Sequence, residues 1–364
     1  MEIYFLFSSI SFLQYYIPIV IECQKKKYKT IFIVRKNEKN YANPLYKKNW
    51  KILKKYTKKF NITIKKDNEI KFKKLNNIIF MVDGDIYGPN RERCIKESLL
   101  SKIKSKCLKV SIQEHLNFKW NYEAYIDKVD ICVFPSKYYA TEYNKISPKN
   151  LYLGNTKYDY IPNETEIYRK YGLNSKDKHI LIFFPKKKFR KHLPIKRKEL
   201  EKIYEYLKKM GYKIIVKARP KELQQYSSED IKLDGKLKGD KLVVSEIYPN
   251  ESVELLKISK YCILFSSSAV EETIMTGTPT LDFVSDNDKA TIDGKLKRLS
   301  FLYDQKCIKE VEKWKKLNFS KLKRLFEDFE IKNGPKFKEL QKKYLFEGNI
   351  SQKLVEHCLS IKKN

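Results

Sequence analysis

The stretch Tyr261-Cys-Ile-Leu-Phe-Ser-Ser-Ser-Ala-Val-Glu-Glu-Thr-Ile-Met-Thr-Gly-Thr-Pro-Thr-Leu-Asp-Phe283 decides how the chain folds. It opens with an apolar run, Tyr261–Phe265, of a length and composition that suit a buried strand. The run ends in Ser266, Ser267 and Ser268, and a helix is expected from about Ala269 to Thr276. Gly277 can end that helix, Pro279 prevents its continuation, and Thr280–Phe283 reads as the next strand. A strand, a hydroxyl-rich turn and a helix start offer free backbone amides, the positive end of a helix dipole and side-chain hydroxyls, a combination that suits a phosphate. Glu271 and Glu272 fall in the first helical turn, within reach of a ribose diol beside such a phosphate. Ser268-x-x-Glu271 is also a capping box, which needs no ligand. The two readings are compatible, with Glu271 capping and Glu272 facing the ligand.

The same alternation extends in both directions. Strands are expected at Ile180–Phe184, Lys213–Lys217 and Lys241–Val244, with helices at about Lys196–Met210 and Ser252–Ser259. Toward the N-terminus, apolar runs recur at Ile3–Phe7, Thr30–Val34, Ile78–Val82, Lys109–Ile112, Ile131–Phe134 and Asn150–Leu153. Helix-length amphipathic stretches separate several of them: Phe12–Lys26, Arg91–Lys104, Trp120–Val129 and Lys137–Asn144. Continuous apolar strands alternating with helices predict parallel sheets covered on both faces. The polar segment Tyr160–Ser175, with Pro162, reads as a linker, and the Lys-rich chain beyond Asp286 reads as helical. The expected fold class is therefore α/β, with two doubly wound Rossmann-like domains and a helical C-terminal tail. The expected boundaries are 1–160 for the first domain, 161–290 for the second, and 291–364 for a helical extension packing across both. Such domains bind ligands beyond the carboxyl ends of their strands, which places the expected site in the cleft between them.

Strand, Ser-rich turn, Glu-Glu on a short helix, Gly-Thr-Pro and strand together resemble the donor-binding segment of GT-B-fold enzymes. That superfamily includes nucleotide-sugar glycosyltransferases, UDP-N-acetylglucosamine 2-epimerases and CDP-glycerol glycerophosphotransferases. The resemblance implies that Ser266, Ser267 and Ser268 receive the donor phosphates, that Glu272 or Glu271 holds the ribose, and that Gly277 and Thr278 belong to the same donor-binding segment. Further pieces follow in the expected order. Gly154-Asn-Thr-Lys-Tyr-Asp159 resembles the Gly-Asn-Pro-x-x-Asp run closing the first domain. Lys217-Ala-Arg-Pro220 resembles the Lys-x-His-Pro strand end of the glycerophosphotransferases, with Arg219 in place of the His. Leu345-Phe-Glu-Gly-Asn-Ile-Ser351 resembles the start of their final helix. The implied substrate is a nucleotide-activated donor, a UDP-sugar first among them, with a glycan, lipid or protein as acceptor and no cofactor required.

Transfer needs cations for the leaving diphosphate and a base for the acceptor. The loop Pro185–Pro194 supplies Lys186 and Arg190, and the strand end supplies Lys217 and Arg219. In the first domain, Ser111-Ile-Gln-Glu-His-Leu-Asn117 follows a strand, so His115 with Glu114 beside it is a candidate base, as is Asp83. The segment also resembles the His-x-Glu-Ala-Gly stretch of the 2-epimerases. It lacks their Ala-Gly, however, and Ser8-Ser9-Ile10-Ser11 stands where they carry Gly-Thr-Arg-Pro-Glu. Asp83-Gly-Asp85 is the Asp-x-Asp arrangement by which GT-A transferases hold a divalent metal, the one reading that would assign a metal site.

Composition narrows the partners. Of 364 residues, 68 are Lys and nine are Arg, and the net charge is +33. Arg is the residue that reads phosphate and base edges bidentately, so a charge carried by Lys reads as a solvated surface, and nucleic acid is not expected. A non-catalytic basic protein binding nucleic acid remains the rival from another class, together with a degenerate homologue that binds donor without turnover. Seven scattered cysteines, none in a C-x-x-C pair, suit a reducing, cytoplasmic setting, with Cys132 and Cys262 in the core. The apolar stretch Ile3–Ile21 carries serines, Gln14 and Pro18 and reads as strand, turn and helix rather than a membrane span. Peripheral contact with an anionic membrane is the remaining expectation for the surplus charge.

Overall fold

The computed structural model describes residues 1–7, 9–34, 47–82, 103, 106–113, 129–135, 150–160, 162–184, 197–218, 235–244, 248–265, 267, 269–283, 302, 304–311, 316–344 and 348–363. The chain divides into two units, Met1–Tyr160 with Lys342–Asn364, and Ile161–Gln341.

The first unit is built on β1 (Glu2–Phe7), β2 (Lys29–Val34), β3 (Thr63–Lys66), β4 (Ile78–Val82), β5 (Leu108–Ile112), β6 (Ile131–Phe134) and β7 (Asn150–Tyr152). Every pairing is parallel, in the order β3-β2-β1-β4-β5-β6-β7. Strand β4 is buried end to end, and β1 and β2 are buried from their second residue on, which is why they read as apolar runs. Helix α1 (Leu13–Lys25) buries Tyr15, Tyr16, Ile17, Ile19, Val20 and Cys23. Helix α2 (Lys47–Lys59) precedes β3.

The second unit carries β8 (Lys178–Phe183), β9 (Tyr212–Ala218), β10 (Lys241–Val244), β11 (Tyr261–Leu264), β12 (Thr280–Phe283) and β13 (Ile308–Val311). This sheet is also wholly parallel, in the order β10-β9-β8-β11-β12-β13. Its helices are α3 (Glu164–Tyr171), α4 (Arg197–Lys209), α5 (Glu251–Ile258), α6 (Val270–Met275), α7 (Phe319–Glu327) and α8 (Pro335–Tyr344). The last helix, α9 (Ile350–Lys363), belongs to the first unit and packs on α1.

Two expectations are corrected here. The segment Tyr160–Ser175 is not a bare linker, since it holds α3, capped by Asn163 and closed by Gly172 in the left-handed region. Ile167 and Tyr171 are buried, and Lys170 and Tyr171 both donate hydrogen bonds to the buried Glu254 of α5. Only two apolar side chains in an eight-residue helix face inward, so the sequence looks polar. Residues 291–364 are not purely helical, because β13 joins the sheet against β12, pairing Thr280 with Ile308 and Phe283 with Val311. The chain up to Gln341 groups with the second unit and the rest with the first. The expected helices Arg91–Lys104, Trp120–Val129 and Lys137–Asn144 lie almost wholly outside the described residues.

Two segments singled out by their motifs meet in the first unit. The Asp159 carboxylate accepts hydrogen bonds from the Ile350 and Ser351 amides at the start of α9, at 2.9 and 2.5 Å. Burial pushes the Asp159 carboxyl above its ordinary range, opposed by the bonds from Ser351 and Ile350. Asp159 and Ser351 thus belong to a helix cap.

Candidate functional site

The candidate site lies where the strand order of the second sheet reverses. Strand β8 is followed by β9 on one side, whereas β11 enters on the other, so the β8/β11 edge is the topological switch point. Pairing there runs from Tyr261↔Ile180 to Ile263↔Ile182. The chain then leaves β11 through Phe265 and the serine turn into α6. The quoted stretch therefore puts its turn at the carboxyl end of the switch point.

Ser267 is buried, and its Oγ accepts a hydrogen bond from the Ala269 amide at 3.3 Å. The Ser267 carbonyl accepts from the Val270 amide, also at 3.3 Å. The N-cap position of α6 is Ala269, which makes no side-chain capping bond, so the helix does not start in the capping-box register expected from Ser268 and Glu271. The two glutamates separate as their spacing requires: Glu271 is buried at 3% exposure, while Glu272, the next residue, is half-buried.

At the carboxyl end of α6, hydroxyls serve the fold. Thr273 donates to the Val270 carbonyl and Thr276 to the Glu272 carbonyl, both at 2.8 Å. Thr278 is fully buried and donates to the Leu256 carbonyl of α5 at 3.0 Å. Its hydroxyl ties the end of α6 to α5. Gly277 has φ +60°, the left-handed conformation that glycine adopts without strain. A Cβ there would lie 2.8 Å from the backbone N and Cα of Asn333, so the position also needs a residue without a side chain.

Lys217, near the end of β9, is buried, and its Nζ lies 4.0 Å from Oε2 of Glu251 at the start of α5. Both side chains are more than nine-tenths buried, so the charges are held out of water together. Glu251 was missed in the sequence. Its signal is slight, an Asn250 cap followed by an acidic residue in the first turn, and Asn250 does accept from the Ser252 amide.

Of the remaining candidates, Asp83, Asp85, Glu114, His115, Lys186, Arg190, Arg219, Ser266 and Ser268 lie outside the described residues. Among the described residues there is no group of three or more His, Cys, Asp or Glu able to hold a metal ion. Among them, too, no helix is long and apolar enough to cross a membrane. Six cysteines are described, all buried, Cys132 and Cys262 among them.

The corresponding place in the first sheet is the β1/β4 edge. Pairing stops at Phe5↔Phe80. Beyond it the hydroxyl of Tyr16 donates to the Leu6 carbonyl at 2.7 Å and accepts from the Val82 amide at 2.9 Å. All of these groups are buried, and Tyr16 also packs against Phe5 and Phe7. A phenol from α1 therefore fills this crevice.

No protein-family model matches the chain, and no curated protein matches it. Solved structures do. The wall teichoic acid polymerase TagF is similar over 100% of this chain and 89% of its own, with 15% identity and a TM-score of 0.60. The UDP-GlcNAc 2-epimerase of Methanocaldococcus jannaschii matches over 99% of this chain and 100% of its own, with 13% identity and a TM-score of 0.57. S. aureus MnaA, solved with UDP, covers 100% of this chain and 97% of its own, at 14% identity and a TM-score of 0.55. With the parallel seven- and six-stranded sheets and the C-terminal helices, these likenesses over the full chain identify the architecture: the chain has the GT-B fold of two Rossmann-like domains.

Proposed function

We propose that this chain is a transferase that takes a sugar or polyol phosphate from a nucleotide-activated donor to a glycan, lipid or protein acceptor. The observation carrying this reading is the position of the Ser267 turn and Glu272 at the carboxyl end of the second sheet's switch point. In this scheme the turn and the start of α6 receive the donor phosphates, and the half-buried Glu272 holds the ribose. The buried Lys217, with Lys186, Arg190 and Arg219, stabilises the departing diphosphate. His115 with Glu114, or Asp83, takes the acceptor proton. The donor is a UDP-sugar first and a CDP-polyol second, in keeping with the UDP in the MnaA structure and the CDPG soaked into TagF.

The 2-epimerases share the fold, and their reaction is the second reading. The transferase is preferred because Ser9 and Ser11 occupy the turn after β1 where the epimerase motif is expected. Their hydroxyls lie 2.7 Å apart, and Ser9 Oγ caps the short 3₁₀ turn Ile10–Phe12.

Calorimetric titration with UDP-, CDP-, GDP- and ADP-linked donors tests the reading, on the wild type and on Glu272→Ala. One nucleotide class is expected to bind the wild type, and the variant to bind it about tenfold more weakly, a loss of ~1.4 kcal/mol. Binding of none would refute the donor reading, and unchanged affinity in the variant would refute the ribose assignment.

A further inference from the structure

Helix α6 has six residues, a length at which a helix does not hold itself together, and its N-cap makes no side-chain bond. Its position has to be imposed from elsewhere. The other end shows how. Gln341 of α8, itself buried, donates from Nε2 to the Ile274 and Met275 carbonyls at 2.8 and 3.1 Å. The Asn333 amide donates to the Gly277 carbonyl at 3.0 Å, in a close approach that only glycine permits. One residue earlier, Lys332 places Nζ on three carbonyls beyond or within the last turn of α5: Leu256 at 2.8 Å, Ser259 at 2.6 Å, and Lys257.

An ammonium has three N–H donors, and all three are used here. They gather three carbonyls at the end of α5 onto one group, and the positive charge suits the negative end of the α5 dipole. Burial pushes the Lys332 ammonium down to about 8. Thr278 ties the two helix ends to each other, since its hydroxyl donates to the same Leu256 carbonyl.

We infer that the segment Lys332–Gln341 is a clamp that fixes the carboxyl ends of α5 and α6 together, making Lys332 and Gln341 positioning residues for the donor turn at the head of α6. The inference rests on the donor reading above for what is positioned, and on the hydrogen bonds alone for the clamp. Neither residue touches the ligand. They act by holding a six-residue helix whose first turn carries Glu271 and Glu272.

The test uses the full chain with Gln341→Leu, Lys332→Met and Lys332→Arg, and two readouts. Amide hydrogen exchange without ligand should quicken about tenfold across residues 270–278 in Gln341→Leu and Lys332→Met, with exchange in Met1–Tyr160 unchanged. Titration with the nucleotide that the wild type prefers should show about tenfold weaker binding in the same variants, ~1.4 kcal/mol, measured well below each variant's melting midpoint. Lys332→Arg, which keeps the charge and several donors, should recover most of both. Gln341→Leu preserves volume and carries the test should Lys332→Met fail to fold. Unchanged exchange at 270–278 overturns the clamp. Faster exchange with unchanged affinity overturns its role in positioning. A wild type that binds no nucleotide overturns the donor reading and the positioning role with it, while the exchange readout still decides the clamp.

Discussion

In both sheets the strand order turns beside the first strand of the unit, at β1/β4 in one and β8/β11 in the other. The two places share a topology and differ in what occupies them. At β1/β4 a side chain from the following helix enters: Tyr16 bridges the Leu6 carbonyl and the Val82 amide, with stacked Phe5 and Phe80 beneath. At β8/β11 the chain itself turns away through Ser267 into a short helix carrying one buried and one half-buried glutamate. A switch point is thus a place where a ligand can bind, and the residues at its mouth decide whether it does. The first unit uses its crevice to hold the sheet together. The second carries the Ser267 turn and the half-buried Glu272 there.

Two substitutions probe that contrast, the larger first. Gly277→Ala places a methyl group 2.8 Å from Asn333 backbone atoms in a left-handed conformation, so it should cost about 3 kcal/mol. Urea unfolding followed by exchange should assign that loss to the second unit, and a loss shared equally by both would break the comparison. Tyr16→Phe removes one hydroxyl and leaves two buried backbone groups without it, which should cost ~2 kcal/mol in the first unit. Nucleotide affinity should not change. A weaker affinity would mean that the first crevice takes part in binding after all.

The parts of the fold that were legible in the sequence are those where burial leaves no choice. Ile78–Val82 is covered on both faces and shows five apolar residues in a row, so its strand was evident. Of the four edge strands, Asn150–Tyr152 and Lys241–Val244 were expected and the other two were not. Thr63–Lys66 and Ile308–Val311 are four residues long, partly exposed and carry lysines or a glutamate, so no apolar run marks them. The site divides in the same way. The serine turn and paired glutamates could be read because strand, turn and helix are contiguous. Glu251 and Tyr16 reach their places through tertiary packing, and Lys332 is one of 68 lysines, distinguished only by the three carbonyls around it.

The central claim is that nucleotide binds at the second switch point, and amide hydrogen exchange with and without the best-binding nucleotide tests it most directly. The account predicts slowed exchange in peptides spanning Leu264–Met275 and none in those spanning Leu6–Tyr16. Protection confined to Leu6–Tyr16, or absent from both at saturating nucleotide, would contradict it.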